Sequence, residues 1–289
     1  MWRSAKDAAR ALGISTRSLR ERAVAGTVKR ERGRYFIERG ARSDVEHVMV
    51  CSDVHVPFHC PFAWAAFIKR LRYCEPDRLV INGDFADFAA VSSHGDAGGK
   101  VLEDEVTAVR RELALLREIM GDKPIHYVQG NHEHRYARFI DGEAPALKGM
   151  ESWHSLLGLA DFDITHTAYG DVHKIGHLGF THGVFAGMHY AKQHLDRYGC
   201  NLVIGHCHRA QIFTLGVAGP EGSQHVRGAF GLPCMVPVDE CDYIKGPTGW
   251  TQGHGEFWIE RDGGRFTADV VIYTKQRFWR DGVCFDGRA

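Results

Sequence analysis

The sequence predicts an α/β protein in which short buried strands alternate with helices. Brief apolar runs typical of buried strands recur between residues 47 and 204, and segments with helical character separate them. The clearest helix is expected between Leu102 and Met120, where apolar residues recur every three or four positions and Gly121 ends the pattern. Pro61 fits the first turn of another helix that reaches Tyr73. This alternation indicates a sheet flanked by helices.

The expected strands fall into two groups along the chain. The first group is His47–Ser52, Leu79–Asn82, Ile125–Val128, Ile175–Phe180 and Leu202–Ile204. A helix is expected at about His189–Tyr198, between the last two of these. After His208 the chain is β-rich, with segments Gln211–Val217, His225–Phe230, Glu256–Glu260, Phe266–Tyr273 and Arg277–Phe285. Asp281-Gly282 is a hairpin signal in the last segment. We expect this second group to build a second sheet.

The composition is that of a globular protein without a membrane partner. The chain has 289 residues, 44% of them hydrophobic, which suits one large domain with a small appendage. No apolar run approaches the roughly 18 residues that a transmembrane helix needs, and the N-terminus lacks the apolar core of a signal peptide. The 8 cysteines show no C-x-x-C spacing, which argues against a zinc ribbon or a disulfide framework. We therefore expect a cytoplasmic protein.

Charge is distributed unevenly between the two predicted parts of the chain. Residues 1–42 hold 12 Lys and Arg against 4 Asp and Glu, a net charge of +8. Residues 43–289 hold 24 basic and 32 acidic residues, a net charge of −8. A basic appendage on an acidic body favours contact with a nucleic acid.

The appendage has the pattern of two short helices followed by a hairpin. Gly13 separates the helices, and the hairpin is expected to turn near Arg32-Gly33. This arrangement resembles the small winged helix-turn-helix of excisionase and MerR-type proteins. The resemblance implies that the second helix presents Thr16, Arg17 and Arg20 to the major groove. The alternative is a solvated basic helix pair that packs on the main domain or on a partner.

Metal-ligating side chains follow the strands of the first group. They come in five groups: Asp53-Val54-His55, Gly83-Asp84, Gly130-Asn131-His132-Glu133, Thr181-His182-Gly183 and Gly205-His206-Cys207-His208. The edge where strands end is well placed for a functional site and poorly placed for a core. A flexible loop at Ser92–Gly99 is expected near the same edge.

The ordered set D-x-H, G-D, G-N-H-E, H and G-H-x-H, from Asp53 to His208, resembles the calcineurin-like metallophosphoesterase superfamily. The resemblance implies a two-metal phosphoester hydrolase on a four-layered αββα sandwich, spanning residues 43–289. It implies that Asp84 bridges two metal ions. Asp53, His55 and His208 would complete one metal site, and Asn131, His182 and His206 the other.

The same resemblance makes His132 the residue that protonates the leaving oxygen. Glu133 is expected to orient a ligand histidine rather than to bind metal, and Asp87 is expected to do the same. Arg135 is a candidate for contacting a substrate phosphate, and the alternative is an exposed helix residue. The mixture of oxygen and nitrogen ligands suits manganese, with iron, zinc or nickel as alternatives.

The motifs indicate the chemistry and leave the substrate open. Phosphoprotein phosphatases carry an arginine in the G-D-x-V-D-R-G motif, and the corresponding stretch from Gly83 to Phe88 lacks it. The basic appendage favours a nucleic-acid or nucleotide phosphodiester. The alternatives are a phosphomonoesterase of broad range and a DNA-binding regulator whose phosphoesterase domain is a scaffold. The oligomeric state is left open.

Overall fold

The computed structural model describes residues 29–31, 34–36, 44–92, 101–218, 224–238 and 249–288. The chain divides into two compact units: residues 1–45 with 279–283, and residues 46–278 with 284–289. The first unit contains strands β1 (Lys29–Glu31) and β2 (Arg34–Phe36), which pair antiparallel with Glu31 opposite Arg34. This is the hairpin predicted around Arg32-Gly33.

The two predicted N-terminal helices lie outside the described residues, together with Thr16, Arg17 and Arg20. The helix-turn-helix, its DNA contact and a domain boundary at residue 42 therefore remain predictions. The loop expected at Ser92–Gly99 also lies outside the described residues, apart from Ser92.

The first sheet of the larger unit has six strands in the order β13-β12-β3-β4-β5-β6. Their bounds are β3 Val45–Cys51, β4 Arg78–Ile81, β5 Ile125–Val128, β6 Ile164–Thr167, β12 Gly253–Glu260 and β13 Phe266–Ile272. Strands β3 to β6 run parallel, and β12 and β13 are antiparallel to each other. The carboxyl ends of β3, β4 and β5 therefore meet at one edge of the sheet.

The second sheet has five strands in the order β10-β11-β9-β8-β7. Their bounds are β7 His173–Ile175, β8 Leu178–Thr181, β9 Asn201–Ile204, β10 Gln211–Ala218 and β11 Gln224–Gly231. Strands β8, β9 and β11 are parallel, while β7 and β10 pair antiparallel at the two sides. The single strand predicted over Ile175–Phe180 was wrong, because Gly176 turns the chain with a φ of 55° and starts a hairpin.

The prediction that all the C-terminal strands build the second sheet was also wrong. Only β10 and β11 join it, whereas β12 and β13 extend the first sheet beside β3. The reason is visible in β12: Phe257 enters the core between the sheets, and the adjacent Glu256 accepts hydrogen bonds from Arg70 at 2.9 and 2.8 Å. The last segment forms the expected hairpin, with β14 (Arg277–Arg280) and β15 (Val283–Asp286) as a separate two-stranded sheet.

Five α-helices lie within the described residues of the larger unit. They are α1 Pro61–Cys74, α2 Leu102–Met120, α3 Asn131–Gly142, α4 Trp153–Leu156 and α5 Tyr190–Tyr198, with short 3-10 helices at Ala89–Val91, Pro145–Leu147 and Leu159–Phe162. Helix α3 begins at Asn131, within the motif Gly130-Asn131-His132-Glu133. The carboxylate of Glu133 accepts from the Gly130 backbone N–H at 2.8 Å, which caps the helix.

The two sheets pack face to face around one apolar core. Val48, Val50 and Val80 of the first sheet meet Phe180 and Val203 of the second, among other buried residues. Helix α1 covers the outer face of the first sheet, where the thiol of Cys74 lies 3.1 Å from the sulfur of Met49. Helix α5 covers the outer face of the second sheet. The mixed α/β fold predicted from the sequence is confirmed, with helices outside two packed sheets.

Within the described residues, every helix is too short or too polar to cross a lipid bilayer.

Candidate metal centre

Five loops bring their polar side chains to one edge of the two sheets. Three loops follow β3, β4 and β5 in the first sheet, and two follow β8 and β9 in the second. Backbone hydrogen bonds tie these loops together: Asp53 N–H donates to Gly83 O at 3.0 Å, and Gly205 N–H donates to His182 O at 2.9 Å. The side chains predicted to bind metal are therefore held close together by the backbone.

The loops carry an unusual concentration of left-handed backbone. Asp53, His55, Asp84, His206 and His208 all have positive φ, between 49° and 70°. A residue other than glycine held in a sparsely populated region costs about 1–3 kcal/mol, and such residues cluster at functional sites. The fold maintains five of them at one edge, which indicates that the direction of these side chains matters.

Two glycines make the close approach of the loops possible. A Cβ on Gly130 would lie 2.2 Å from Oδ1 of Asp84, and a Cβ on Gly205 would lie 2.1 Å from Oγ of Ser52. Neither position has room for any side chain. This explains why glycine precedes Asn131 and His206 in the two motifs.

The first cluster of ligating atoms contains Asp53, His55 and His208. Nε2 of His208 lies 3.2 Å from Oδ1 of Asp53 and 3.1 Å from Nε2 of His55. All three side chains are buried. Asp87 approaches His55 from the other side, with its Oδ2 at 2.9 Å from Nδ1. This contact places the proton of His55 on Nδ1 and leaves Nε2 facing the cluster as a ligand.

The second cluster contains Asp84, His182 and His206, with Asn131 beside them. Nε2 of His182 lies 3.1 Å from both Oδ2 of Asp84 and Oδ1 of Asn131. Nδ1 of His206 lies 2.7 Å from the same amide oxygen. His182 Nδ1 donates to the carbonyl of Asn82 at 2.9 Å, so its Nε2 is free to act as a ligand.

A third cluster joins the other two through shared residues. It contains His55, Asp84 and His132, whose ligating atoms lie within 4.8 Å of one another. His132 Nε2 lies 3.8 Å from Oδ2 of Asp84, and His132 Nδ1 donates to the carbonyl of Asp87 at 2.7 Å. His132 is 18% exposed, so it stands at the mouth of the site.

Glu133 binds the backbone of the loops that follow β4 and β5 rather than a histidine side chain. Its buried carboxylate accepts from the backbone N–H groups of Asp84 and Ala86, at 3.1 and 3.0 Å, as well as from Gly130. The hydroxyl of Tyr127 donates to it at 2.6 Å. The prediction that Glu133 orients a ligand histidine was therefore wrong, because its carboxylate binds the backbone of the loops that follow β4 and β5.

A sequence model of the calcineurin-like phosphoesterase family matches residues 46–210, which is more than half of the chain. The chain belongs to this family. The matched region contains all seven residues predicted to bind metal.

The gene 54 proteins of the mycobacteriophages D29 and L5 are similar along most of the chain. They are 28% and 27% identical over 255 and 254 residues, which is 82% of this chain and 97% of each relative. Among solved structures, Vps29 of Cryptosporidium parvum has a TM-score of 0.42 at 13% identity, covering 84% of this chain and 96% of that protein. Vps29 of Chaetomium thermophilum has a TM-score of 0.41 at 13% identity, covering 80% and 99%.

The electrostatics of this calcineurin-like site fit divalent cations. Burial would lower the pKa of His182, but Asp84 and Asp53 outweigh it and raise the pKa to about 10. Burial and His182 lower the pKa of His206 to about 4. Against burial, His182 and His132 hold the pKa of Asp84 well below its usual range. The carboxylates thus attract positive charge, which in the metal-free site is a proton on His182. A divalent metal ion would replace that proton and would find imidazole nitrogens and carboxylate oxygens as its ligands.

His208 presents one of its two ring nitrogens to the first cluster. Nδ1 of His208 has no hydrogen-bond partner among the described residues, while its Nε2 lies between Asp53 and His55. The ring also lies against Trp250, with centroids 4.3 Å apart.

Three residues that support the ligands were not predicted from the sequence. Ser52 donates to Oδ2 of Asp53 at 2.5 Å, Asn82 accepts from His182, and Nε2 of His194 accepts from the backbone N–H of Val184 at 2.9 Å. Ser52 and Asn82 directly precede ligand motifs at strand ends, a signal that was available. His194 lies within α5, where the sequence offers no such signal.

Proposed function

We propose that this protein is a two-metal phosphoester hydrolase. The observation that carries the proposal is the set of three connected clusters of ligating atoms, in which the third cluster shares His55 with the first and Asp84 with the second. Asp53, His55 and His208 would hold one metal ion, and Asn131, His182 and His206 the other. Asp84 lies between the two sets and would bridge the ions, because a carboxylate offers two oxygens.

Bound metal ions would activate a water for attack on phosphorus and offset negative charge on the phosphoryl oxygens. The chain's own residues supply the remaining steps. His132 stands beside Asp84 at the mouth of the site, where Nε2 could deliver a proton to the leaving oxygen. Asp87 fixes His55, and Glu133 fixes the Asp84 loop. The mixed oxygen and nitrogen set supports manganese, with iron, zinc or nickel as alternatives.

The proposed substrate is a nucleic-acid or nucleotide phosphodiester. The charge of +8 on residues 1–42 supports it, because lysine and arginine contacts to phosphates release counterions. Thr16, Arg17 and Arg20 are the proposed DNA contacts. The body carries −8 and would repel a polyanion outside its metal site. A cytoplasmic location belongs to the same proposal, and the seven cysteines that the structure describes are free thiols.

The test is an activity screen of the full-length protein with manganese, iron, zinc and nickel. A nitrophenyl monoester and bis-nitrophenyl phosphate separate phosphomonoesterase from phosphodiesterase activity. Asp84→Asn should abolish hydrolysis, since the amide removes the bridging charge. Asp122→Asn, at an exposed helix end, is the matched control and should keep full activity. If no metal supports hydrolysis of either ester, the protein is not a phosphoesterase, and the scaffold alternative gains weight.

A further inference from the structure

Arg135 stands at the mouth of the site with an unusual set of partners. One turn into α3, its side chain is 21% exposed. Nη1 donates to the backbone carbonyl of Asp87 at 3.3 Å, and Nη2 approaches Nε2 of His132 at 3.2 Å. A guanidinium can only donate, so Nε2 of His132 is the acceptor in this contact.

The charge of Arg135 is poorly matched by these partners. The nearest carboxylate oxygen within the described residues is Oδ1 of Asp87, at 4.0 Å, and Oδ2 of the same residue is committed to His55 at 2.9 Å. A carbonyl and a neutral imidazole thus take hydrogen bonds that a carboxylate or phosphate would take more strongly. The site holds a fixed cation with donors available for an anion.

The position of this cation defines which part of a substrate it meets. His132 Nε2 is the proposed proton donor to the leaving oxygen, and Nη2 of Arg135 lies 3.2 Å from that nitrogen. With a hydrogen bond of ~2.8 Å from Nε2 to the leaving oxygen, Nη2 lies within about 6 Å of that oxygen, and a second such bond lets it reach groups within about 9 Å of it. It lies on the side of the leaving group.

We infer that Arg135 determines specificity by binding an anionic group carried on the leaving group of the substrate. The preferred substrates are then phosphoesters whose leaving group has its own negative charge close to the scissile bond. A nucleotide strand, whose next phosphate lies a few bonds away, and a nucleoside polyphosphate both meet this requirement. An anion that draws the guanidinium away from His132 also frees Nε2 to take up a proton from solvent, and that is the proton delivered to the leaving oxygen. This inference rests on the proposed function of the same site.

A matched pair of diesters tests the inference. Methyl 3-carboxyphenyl phosphate and methyl 3-carbamoylphenyl phosphate have leaving groups of the same shape that differ in charge. The manganese-loaded wild-type protein should prefer the carboxylate in kcat/KM by about tenfold to a hundredfold, the usual range for a charge-assisted hydrogen bond. Arg135→Gln should remove the preference, and Arg135→Lys should retain part of it.

Arg138 provides the control, because it is an exposed arginine three residues further along the same helix. Arg138→Gln removes the same charge and should keep the preference. An equal loss of rate on both esters in Arg135→Gln would assign Arg135 a structural role and overturn the inference. So would a wild-type protein that does not distinguish the two esters.

A binding measurement tests this inference independently of the proposed hydrolysis. Calorimetry would compare the phosphonate analogues of the two esters, which cannot be hydrolysed. Tighter binding of the carboxylate analogue that disappears in Arg135→Gln supports the inference even if no ester is cleaved, an outcome in which only the proposed hydrolysis fails. Equal binding of both analogues by the wild-type protein overturns the inference whether or not hydrolysis occurs.

Discussion

Replacing Glu133 with glutamine tests how the loops of the metal centre are held. Oε2 of Glu133 accepts from the backbone N–H groups of Asp84 and Gly130, and Oε1 accepts from Ala86 N–H and the Tyr127 hydroxyl. Glutamine has the same shape but replaces one oxygen with an NH₂ group. Two of the four donors then face another donor instead of an acceptor.

The size of the effect follows from these contacts. An unsatisfied buried N–H costs about 1–3 kcal/mol, so losing two acceptors should lower the free energy of unfolding by about 2–6 kcal/mol. Tyr127→Phe removes one of the four donors and should cost less, about 1–3 kcal/mol. Because the Asp84 loop also loses its anchor, manganese affinity should fall in Glu133→Gln.

The assay is urea denaturation of the metal-free protein at pH 8, followed by calorimetric titration with manganese. Glu151→Gln is the control, at an exposed position beyond the end of α3, and it should change neither the free energy of unfolding nor the manganese affinity. A loss of less than 1 kcal/mol in Glu133→Gln would refute the reasoning, because it would mean that the carboxylate does not anchor the loops.

Three further outcomes are expected. His132→Ala should keep both metal ions but reduce the rate of hydrolysis about 10²–10⁴-fold. The loss should be smaller for a nitrophenolate leaving group, which needs little protonation. Equal losses for good and poor leaving groups in steady-state assays would exclude His132 as the acid. His126 and His173 stack with ring centroids 3.5 Å apart, and burial lowers their pKa values to about 3 and about 4. Their folded pKa values lie below the ordinary value of 6.5, so the stability they contribute is complete above pH 6.5 and is lost as the pH falls toward 4. In thermal melts across that pH range, the melting temperature of His173→Gln should depend less on pH than that of the wild-type protein. An unchanged dependence would contradict a contribution of His173 to the loss of stability at low pH. Finally, fluorescence anisotropy should show that the full-length protein binds duplex DNA with a steep salt dependence and that residues 43–289 bind it weakly. Equal binding by both proteins would remove the main support for a nucleic-acid substrate.

The sequence by itself determined which strand ends carry the candidate metal ligands. Asp53, Asp84, Asn131, His182 and His206 could each be assigned to the end of an expected strand. The carboxyl ends of parallel strands meet at one edge of a sheet, so the local pattern was enough to predict that ligands on neighbouring strands converge. That the ligand-bearing edges of two separate sheets meet was decided by the tertiary structure. The glycines of the same motifs were also informative, because loops that pass so close leave no room for a Cβ.

Only the tertiary structure decided how the strands are shared between the sheets and what supports the ligands. Alternating apolar residues identify β12 and β13 as strands, but which open edge they join depends on packing, and here it is the edge of β3. The partners of Glu133 were equally hidden, since its carboxylate spans 49 residues of sequence to reach Asp84. The local sequence pattern indicates the conformation and the polarity of each residue. A long-range hydrogen bond depends instead on how separate segments of the chain are brought together, and the packing of the two sheets decides this.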